Sequence, residues 1–189
     1  MRRFVRLTTF FTVLMAGFGG FSTSALAQSV AEPNTVTVTP FLATSFGVSQ
    51  NLDRSLGLGV AVGYDLTSNL GFEFEFGHVF DVVGRDANLD WSLSNFSANV
   101  VYHFDVPHVT PYGTFGIGWE RSNPRFDVPD PLALTVGPST EVAWNLGGGV
   151  KSELTDRLIG RADLRRFQAN DFAPDHWRFY AGLTFFLKR

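Results

Sequence analysis

Acidic and basic residues that recur at every second position are the side chains of this sequence best placed to do chemistry. Glu73 and Glu75 are two positions apart, and so are Arg161, Asp163 and Arg165. In a β-strand, residues two positions apart lie on the same face, so each set would present its charges on one side of a sheet. A carboxylate removed from water needs a cationic partner. We therefore predict that Glu73 and Glu75 form ion pairs with Arg161 or Arg165.

Histidine, serine and acidic residues offer a second chemistry, acyl transfer, in which a histidine activates a serine. His78 and His176 are the candidate bases, and no Ser-x-His or comparable signature accompanies either of them. We therefore predict no catalytic residues and keep this chemistry as an alternative. The conceivable companions of the two histidines are Asp81, Asp175, Ser92 and Ser94.

Cofactor and metal chemistry find no support in the sequence. Cysteine is absent, which excludes thiolate zinc sites, iron–sulfur clusters and a cysteine nucleophile. The four histidines are scattered and form no ligand cluster. Gly57-x-Gly59 is followed by a continuing strand pattern and not by a helix, which excludes a dinucleotide-binding loop. We predict no cofactor and no metal.

Residues 1–27 are predicted to be a secretory signal peptide. Three Arg within the first six residues form a basic start, Leu7–Phe21 is apolar, and Ala25-Leu26-Ala27 is a small-x-small cleavage site. The apolar stretch is shorter than the about 20 residues that a spanning helix needs. The remaining domain, residues 28–189, has 12 basic and 18 acidic side chains, a net charge of −6. This acidity argues against nucleic acid as a partner.

The elements that position the charged residues are predicted from a period-two pattern of apolar residues. Over Leu56–Leu66, Leu, Val and Tyr alternate with Gly, Ala and Asp. Such alternation is typical of a strand with one apolar and one polar face. The pattern recurs along the chain and predicts eight strands. Most are about ten residues long, the length that a tilted strand needs to cross a bilayer.

The distribution of charge predicts which face of these strands meets lipid. The apolar faces are aromatic and uncharged, whereas the polar faces combine charged residues with many Gly and Ala. A soluble lipocalin-like barrel would need a charged exterior, and the chain has just two Lys. In lipid, a sheet can cross only as a closed barrel. We predict an all-β fold, an eight-stranded antiparallel transmembrane β-barrel that is an up-and-down meander.

The polar faces then line the lumen. Eight strands leave an interior just wide enough to be filled by side chains, so we predict a polar plug and not a conduction path. The predicted lumen ion-pair network consists of Glu73, Glu75, Glu141, Lys151, Arg161, Asp163, Arg165 and Arg178.

The two ends of the barrel are predicted to differ. Outer-membrane barrels have short periplasmic turns and long external loops. The longest predicted loop, Arg121–Thr140, contains four of the nine prolines. Amphipathic rings settle at the depth of lipid headgroups, so we predict that the interfaces are marked by Trp91, Trp119, Trp144 and Trp177, with Tyr102 and Phe104. Packing in the interior is the alternative for any one of these rings.

With these strands, the chain resembles the outer-membrane β-barrel domain family, the small OmpA-like or OmpX-like proteins also described as opacity-type or porin-family surface antigens. Three passages carry the resemblance: Pro111-Tyr112 running into Gly116-Ile117-Gly118-Trp119, the segment Trp144-Asn145-Leu146-Gly147-Gly148-Gly149, and the carboxyl end. It covers nearly all of the chain after residue 27.

The carboxyl end resembles the signal by which the barrel-assembly machinery recognises its clients in this family. The family usually ends on an aromatic residue, whereas Lys188 and Arg189 follow here. The residues that match the assembly signal are Tyr180, Gly182, Phe185 and Leu187.

The resemblance implies a protein of the Gram-negative outer membrane with a structural, surface-interaction or membrane-integrity role, and the lack of a catalytic signature predicts that it is not an enzyme. Its implied partners are outer-membrane lipid, lipopolysaccharide, the assembly machinery, and a host or neighbouring protein at the 121–140 loop. Two alternatives stay open. One is a small-solute pore, and the other is a lipid A-modifying barrel enzyme that uses rim residues near His78 or His176.

Overall fold

The computed structural model describes residues 31–47, 55–80, 89–126, 137–169 and 175–188. The predicted signal peptide, residues 1–27, lies outside the described residues, as does Asp81. Among the described residues, none belongs to a helix long and apolar enough to span a membrane. The strands are β1 (Thr35–Gly47), β2 (Ser55–Asp65), β3 (Leu70–Val79), β4 (Leu89–His103), β5 (Thr110–Phe126), β6 (Ser139–Thr155), β7 (Leu158–Ala169) and β8 (His176–Lys188).

These eight strands form one closed antiparallel barrel in chain order. Each strand pairs with the next, and β8 returns to pair with β1, so that Val38 lies opposite Phe185. Closure leaves no free sheet edge, as a membrane-spanning sheet requires. The predicted up-and-down barrel is confirmed.

The alternation of side chains follows the sequence pattern. On β3, Phe74 and Phe76 are 55% and 53% exposed on the outer face, whereas Glu73 and Glu75 are 5% and 1% exposed on the inner face. The other strands repeat this arrangement, with mainly apolar side chains outside and mainly polar ones inside, where some apolar residues such as Phe41 and Phe167 are also buried. The charged side chains therefore lie in the lumen, and the apolar side chains cover the outer surface of the barrel, as predicted.

Glycines on β6 make room for the charged residues of β7. Gly147 lies opposite Arg165 and Gly149 opposite Asp163. A Cβ atom added to Gly147 would lie 2.7 Å from Arg165 Cγ, and one added to Gly149 would lie 2.3 Å from Asp163 Cβ. Both distances are too short for any other residue, so the glycine-rich segment is a steric requirement of the lumen.

The predicted loop Arg121–Thr140 is wrong at both of its ends. β5 continues to Phe126 and stays paired with β4, while β6 already begins at Ser139, opposite Ser122. Polar side chains do not end the pairing of two strands, because the hydrogen bonds between strands are made by backbone groups. At Pro124, β5 pairs with β4 but no longer with β6. A proline is tolerated there because it has no backbone N–H to donate to a second neighbouring strand. Residues 127–136 of the predicted loop lie outside the described residues.

Three of the four tryptophans lie on the outer face, and one does not. Trp119 and Trp144 are exposed to the exterior, and Trp177 contacts the outward guanidinium of Arg166. The prediction for Trp91 is wrong, because this side chain points inward near the loop end of β4. Its indole Nε1 donates to Ser122 Oγ at 2.5 Å, so its one polar group is bonded inside the barrel.

Candidate functional site

The middle of the lumen holds a layer of ion pairs between β3 and β7. Arg161 binds the Glu73 carboxylate through both terminal nitrogens, with Nη2 3.1 Å from Oε1. Arg165 reaches both acids, with Nη2 3.0 Å from Glu73 Oε1 and Nη1 2.8 Å from Glu75 Oε2. The four side chains are buried. Because β3 and β7 are opposite strands of an eight-stranded ring, these contacts cross the full width of the lumen.

Asp163 and Tyr112 complete this layer. Asp163 lies between the two guanidinium groups, 2.8 Å from Arg161 Nε and 3.1 Å from Arg165 Nε. Tyr112 accepts from Arg161 Nε at 2.7 Å and donates its hydroxyl proton to Asp163. Tyr112 and Asp163 are almost fully buried, so the hydrogen bonds stand in for the water that these groups lose.

Arg178 extends the network toward the loop end. Its guanidinium donates to Asn95 Oδ1 at 2.5 Å and to Ser45 Oγ at 3.2 Å. It lies 4.0 Å from Glu75, which also accepts from Asn95 at 3.0 Å and from the Tyr180 hydroxyl at 2.9 Å. Three acids and three guanidinium groups therefore form one neutral cluster: Glu73, Glu75, Asp163, Arg161, Arg165 and Arg178.

Two other residues predicted for the network lie elsewhere in the lumen. Lys151, near the short-turn end, donates from Nζ to His103 Nε2 at 2.8 Å. Glu141, near the loop end, accepts from the Ser139 hydroxyl at 3.3 Å. The structure thus brings six of the eight predicted residues into one cluster and leaves these two at opposite ends of it.

Aromatic residues that the charge pattern did not single out share the lumen. Phe41 packs edge-on against Tyr180 with ring centroids 4.9 Å apart, and the Arg178 guanidinium lies 4.4 Å from the Phe167 ring centroid. A ring face attracts a cation, so these rings help to hold the network. Their signal is present in the sequence, because Phe41 and Phe167 fall on the inward positions of the period-two pattern.

The rim histidines do not form one site. His78 faces outward and its Nδ1 lies 2.8 Å from Ser94 Oγ, whereas His176 is buried in the lumen, where Arg178 donates to its Nε2 at 3.0 Å. Asp175 accepts from Arg166 at 2.9 Å. The two histidines therefore lie on opposite faces of the barrel wall.

The four residues predicted to form the assembly signal lie on both faces of β8. Tyr180 is buried in the lumen, and Gly182 lies opposite Phe41 of β1. Phe185 and Leu187 are exposed on the outer surface. A recognition role for Tyr180 would therefore precede closure of the barrel, since its side chain is enclosed afterwards.

We expect Tyr112→Phe to lower the free energy of unfolding by about 1.5–3 kcal/mol, because the variant removes a hydroxyl bonded to two charged groups. Equilibrium unfolding in urea, with the protein refolded into lipid vesicles, measures this change. Tyr64→Phe is the matched control, since the Tyr64 hydroxyl bonds Asn34 at 2.9 Å on the exposed outer face. Equal effects for the two variants would contradict the importance of the buried layer.

The fold is shared with several solved outer-membrane barrels. The N-terminal β-barrel domain of Pseudomonas aeruginosa OprF is 21% identical, with 82% of this chain and 98% of that chain covered and a TM-score of 0.61. Neisserial surface protein A is 16% identical, with coverages of 79% and 93% and a TM-score of 0.58. Ail, the attachment invasion locus protein of Yersinia pestis, is 14% identical, with coverages of 80% and 97% and a TM-score of 0.52.

At these identities the structural likeness establishes the fold and no more. No curated protein matches this chain in sequence. The family model described as outer membrane protein beta-barrel domain matches residues 13–185, which is most of the chain. Together with the closed barrel and its apolar exterior, this match identifies the chain as a member of the outer membrane protein β-barrel domain family.

Proposed function

We propose that this protein is an integral outer-membrane barrel whose lumen is closed by its own side chains and which has a structural, surface-interaction or membrane-integrity role. The observation that carries this proposal is the neutral cluster of six charged residues across the lumen. Eight strands leave little interior space, and both guanidinium groups of β7 use that space to reach β3.

A second layer supports closure of the lumen. Asn145 of β6 donates to Asn99 of β4 at 2.9 Å. Gly116 of β5 lies between them, and a Cβ atom added there would be 2.7 Å from Asn145 Nδ2 and closer still to Asn99. The asparagines therefore fill the space that this glycine leaves open.

We expect the refolded protein to produce no stepwise current in a planar lipid bilayer, because hydrated ions find no continuous path past the charged layer. The double variant Glu73→Ala/Arg161→Ala removes an acid and its guanidinium partner together. Arg165 keeps Glu75 and Asp163 as partners, so no new unpaired charge is created. The shorter side chains should give a small, measurable conductance.

Tyr64→Phe, which changes the outer face alone, is the control for reconstitution and should remain silent. Wild-type currents as large as those of the double variant would overturn the closed lumen and favour the small-solute pore. A silent double variant, inserted as efficiently as the wild type, would argue that the charged layer is not the barrier.

The family and the apolar outer surface of the barrel support a location in the outer membrane. We propose that residues 1–27 direct export and are removed, so that the mature protein begins at Gln28 in a Gram-negative outer membrane. The proposed partners are lipid, lipopolysaccharide, the barrel-assembly machinery through the carboxyl end, and a host or neighbouring protein through residues 121–140. Mass measurement of the purified protein tests the cleavage site, since an intact amino end would contradict it.

One observation favours a second candidate function, hydrolysis of an acyl ester of lipid A. Ser94 and His78 are hydrogen bonded on the outer face. There Ser94 could attack the ester carbonyl while His78 takes its proton and passes it to the departing lipid A hydroxyl, and water would then release the acyl group from Ser94 as a free fatty acid. Mass spectrometry of lipid A from cells with and without the protein decides between the candidates. An unchanged acyl pattern supports the non-enzymatic role, and a lost chain that returns in Ser94→Ala supports hydrolysis.

A further inference from the structure

We propose that Glu120 and Glu141 bind a hard divalent cation such as Ca²⁺ inside the lumen, between the charged cluster and the loop end. The two residues lie directly opposite each other on β5 and β6. Opposite residues of an antiparallel pair have Cβ atoms about 5 Å apart. Two carboxylates on one face at this separation repel each other unless a cation or a proton lies between them.

Glu120 is the first observation that points to a ligand. Its side chain is 1% exposed, and neither carboxylate oxygen has a hydrogen-bond partner among the described residues. A buried carboxylate normally receives several hydrogen bonds, and leaving it without them is costly. These two oxygens are therefore available to an ion.

The nearest cationic groups do not satisfy Glu120. Arg178 Nη2 is 3.7 Å from Glu120 Oε2, beyond hydrogen-bond distance, and Arg178 also lies 4.0 Å from Glu75. His176 Nε2 is 3.8 Å from the same oxygen. Because that nitrogen accepts a hydrogen bond from Arg178, it carries no proton and His176 is neutral. Glu120 thus shares one distant guanidinium with Glu75.

The balance of charge in the lumen points the same way. The central cluster is neutral, and Lys151 and Asp65 contribute one charge of each sign near the short turns. Glu120 and Glu141 are two further acids of the inner face, so the formal charges of these ten residues sum to −2. A divalent cation would bring this sum to zero.

The donor atoms suit a hard cation. One step closer to the loop end, Ser122 and Ser139 lie opposite each other on the same inner face, and the Ser139 hydroxyl already bonds Glu141. Carboxylates, hydroxyls and water are the ligands that Ca²⁺ takes. Clusters of three or more His, Asp or Glu that could hold a metal are absent from the described residues. We therefore expect a modest dissociation constant, on the order of 0.1–1 mM, as in extracellular calcium modules.

Terbium luminescence tests this site, because Tb³⁺ replaces Ca²⁺ at oxygen ligands and is excited by a nearby tryptophan. Trp91 is the inward tryptophan, and it bonds Ser122 beside the two acids. For the wild-type protein in an uncharged maltoside detergent, we expect a saturable Tb³⁺ signal under tryptophan excitation that Ca²⁺ competes away. Glu120→Gln and Glu141→Gln should each abolish the saturable signal.

Glu153→Gln is the matched control, because Glu153 is an exposed carboxylate on the same strand as Glu141 but at the opposite end. It should leave the signal unchanged, while Trp91→Phe should weaken the luminescence and leave Ca²⁺ binding by calorimetry intact. Folding of each variant is checked by its heat-modifiable electrophoretic mobility. If Glu120→Gln fails to fold, Glu141→Gln decides. A wild-type protein without a saturable signal, or a folded Glu141→Gln variant that keeps it, overturns the proposal.

Discussion

Replacing Arg165 by Ala is expected to lower the free energy of unfolding by about 3–5 kcal/mol, the cost of removing one partner from a buried charge network. The Arg165 guanidinium is fully buried and lies within 3.1 Å of oxygens on Glu73, Glu75 and Asp163. Without it, three acids in a closed lumen share fewer cations and lose three hydrogen bonds. Urea titration of the protein refolded into lipid vesicles measures the change.

The neighbouring residue supplies a matched control. Arg166 points to the outer face, its side chain is 28% exposed, and its partner Asp175 is 36% exposed. An exposed ion pair contributes at most about 1 kcal/mol, so Arg166→Ala should have a small effect. If both variants lost the same stability, the assignment of successive arginines to the two faces of β7 would be wrong.

Replacing Phe74 by Arg is expected to lower the free energy of unfolding by about 2–4 kcal/mol, because a charge at the middle of the lipid face must leave water. Phe74 lies midway along β3 and its ring is 55% exposed on the outer surface. Val60→Arg on β2 should behave similarly, since Val60 also faces outward near mid-strand. The same vesicle titration measures both.

Leu66→Arg is the control that shows whether the cost of an arginine depends on its depth in the membrane or only on the loss of an apolar side chain. Leu66 is an exposed apolar residue on the outer face, at the short turn after β2, where an arginine reaches headgroups and water. The expected cost there is about 0–1 kcal/mol. A neutral Phe74→Arg variant would mean that this face does not meet hydrocarbon, and the membrane orientation would have to be abandoned.

Alternation was enough to predict the strands and the direction of their side chains. The phenylalanines of β3 and its two glutamates occupy alternate positions, and no tertiary information is needed to put them on opposite faces. The ends of the strands were not predictable in this way. Ser122 and Asn123 look like loop residues by composition, yet their backbones remain in the β4–β5 ladder.

Which side chains meet inside the lumen depends on how the barrel closes and on the register of its strands. The period-two pattern of the sequence contains neither. Period two places Glu120 and Glu141 on inner faces, but their direct opposition depends on the register of β5 and β6. Charge alone predicts that Lys151 joins the acids, whereas the structure puts it beside His103 at the other end of the barrel. Residue type predicts that Trp91 lies with the other tryptophans, whereas its inward position follows the same alternation as Leu93, against which it packs.

Among the described residues, one pair of strands extends past its neighbours at the loop end. Residues 89–92 of β4 pair with residues 123–126 of β5, whereas the pairing of β4 with β3 ends at Leu93 and the pairing of β5 with β6 ends at Ser122. Four residues of each strand, about 13 Å along the strand direction, therefore form a two-stranded arm beyond the last described pairs on either side. A macromolecule that contacts this arm meets backbone held in place by a hydrogen-bonded ladder, so its contact with the described rim is asymmetric.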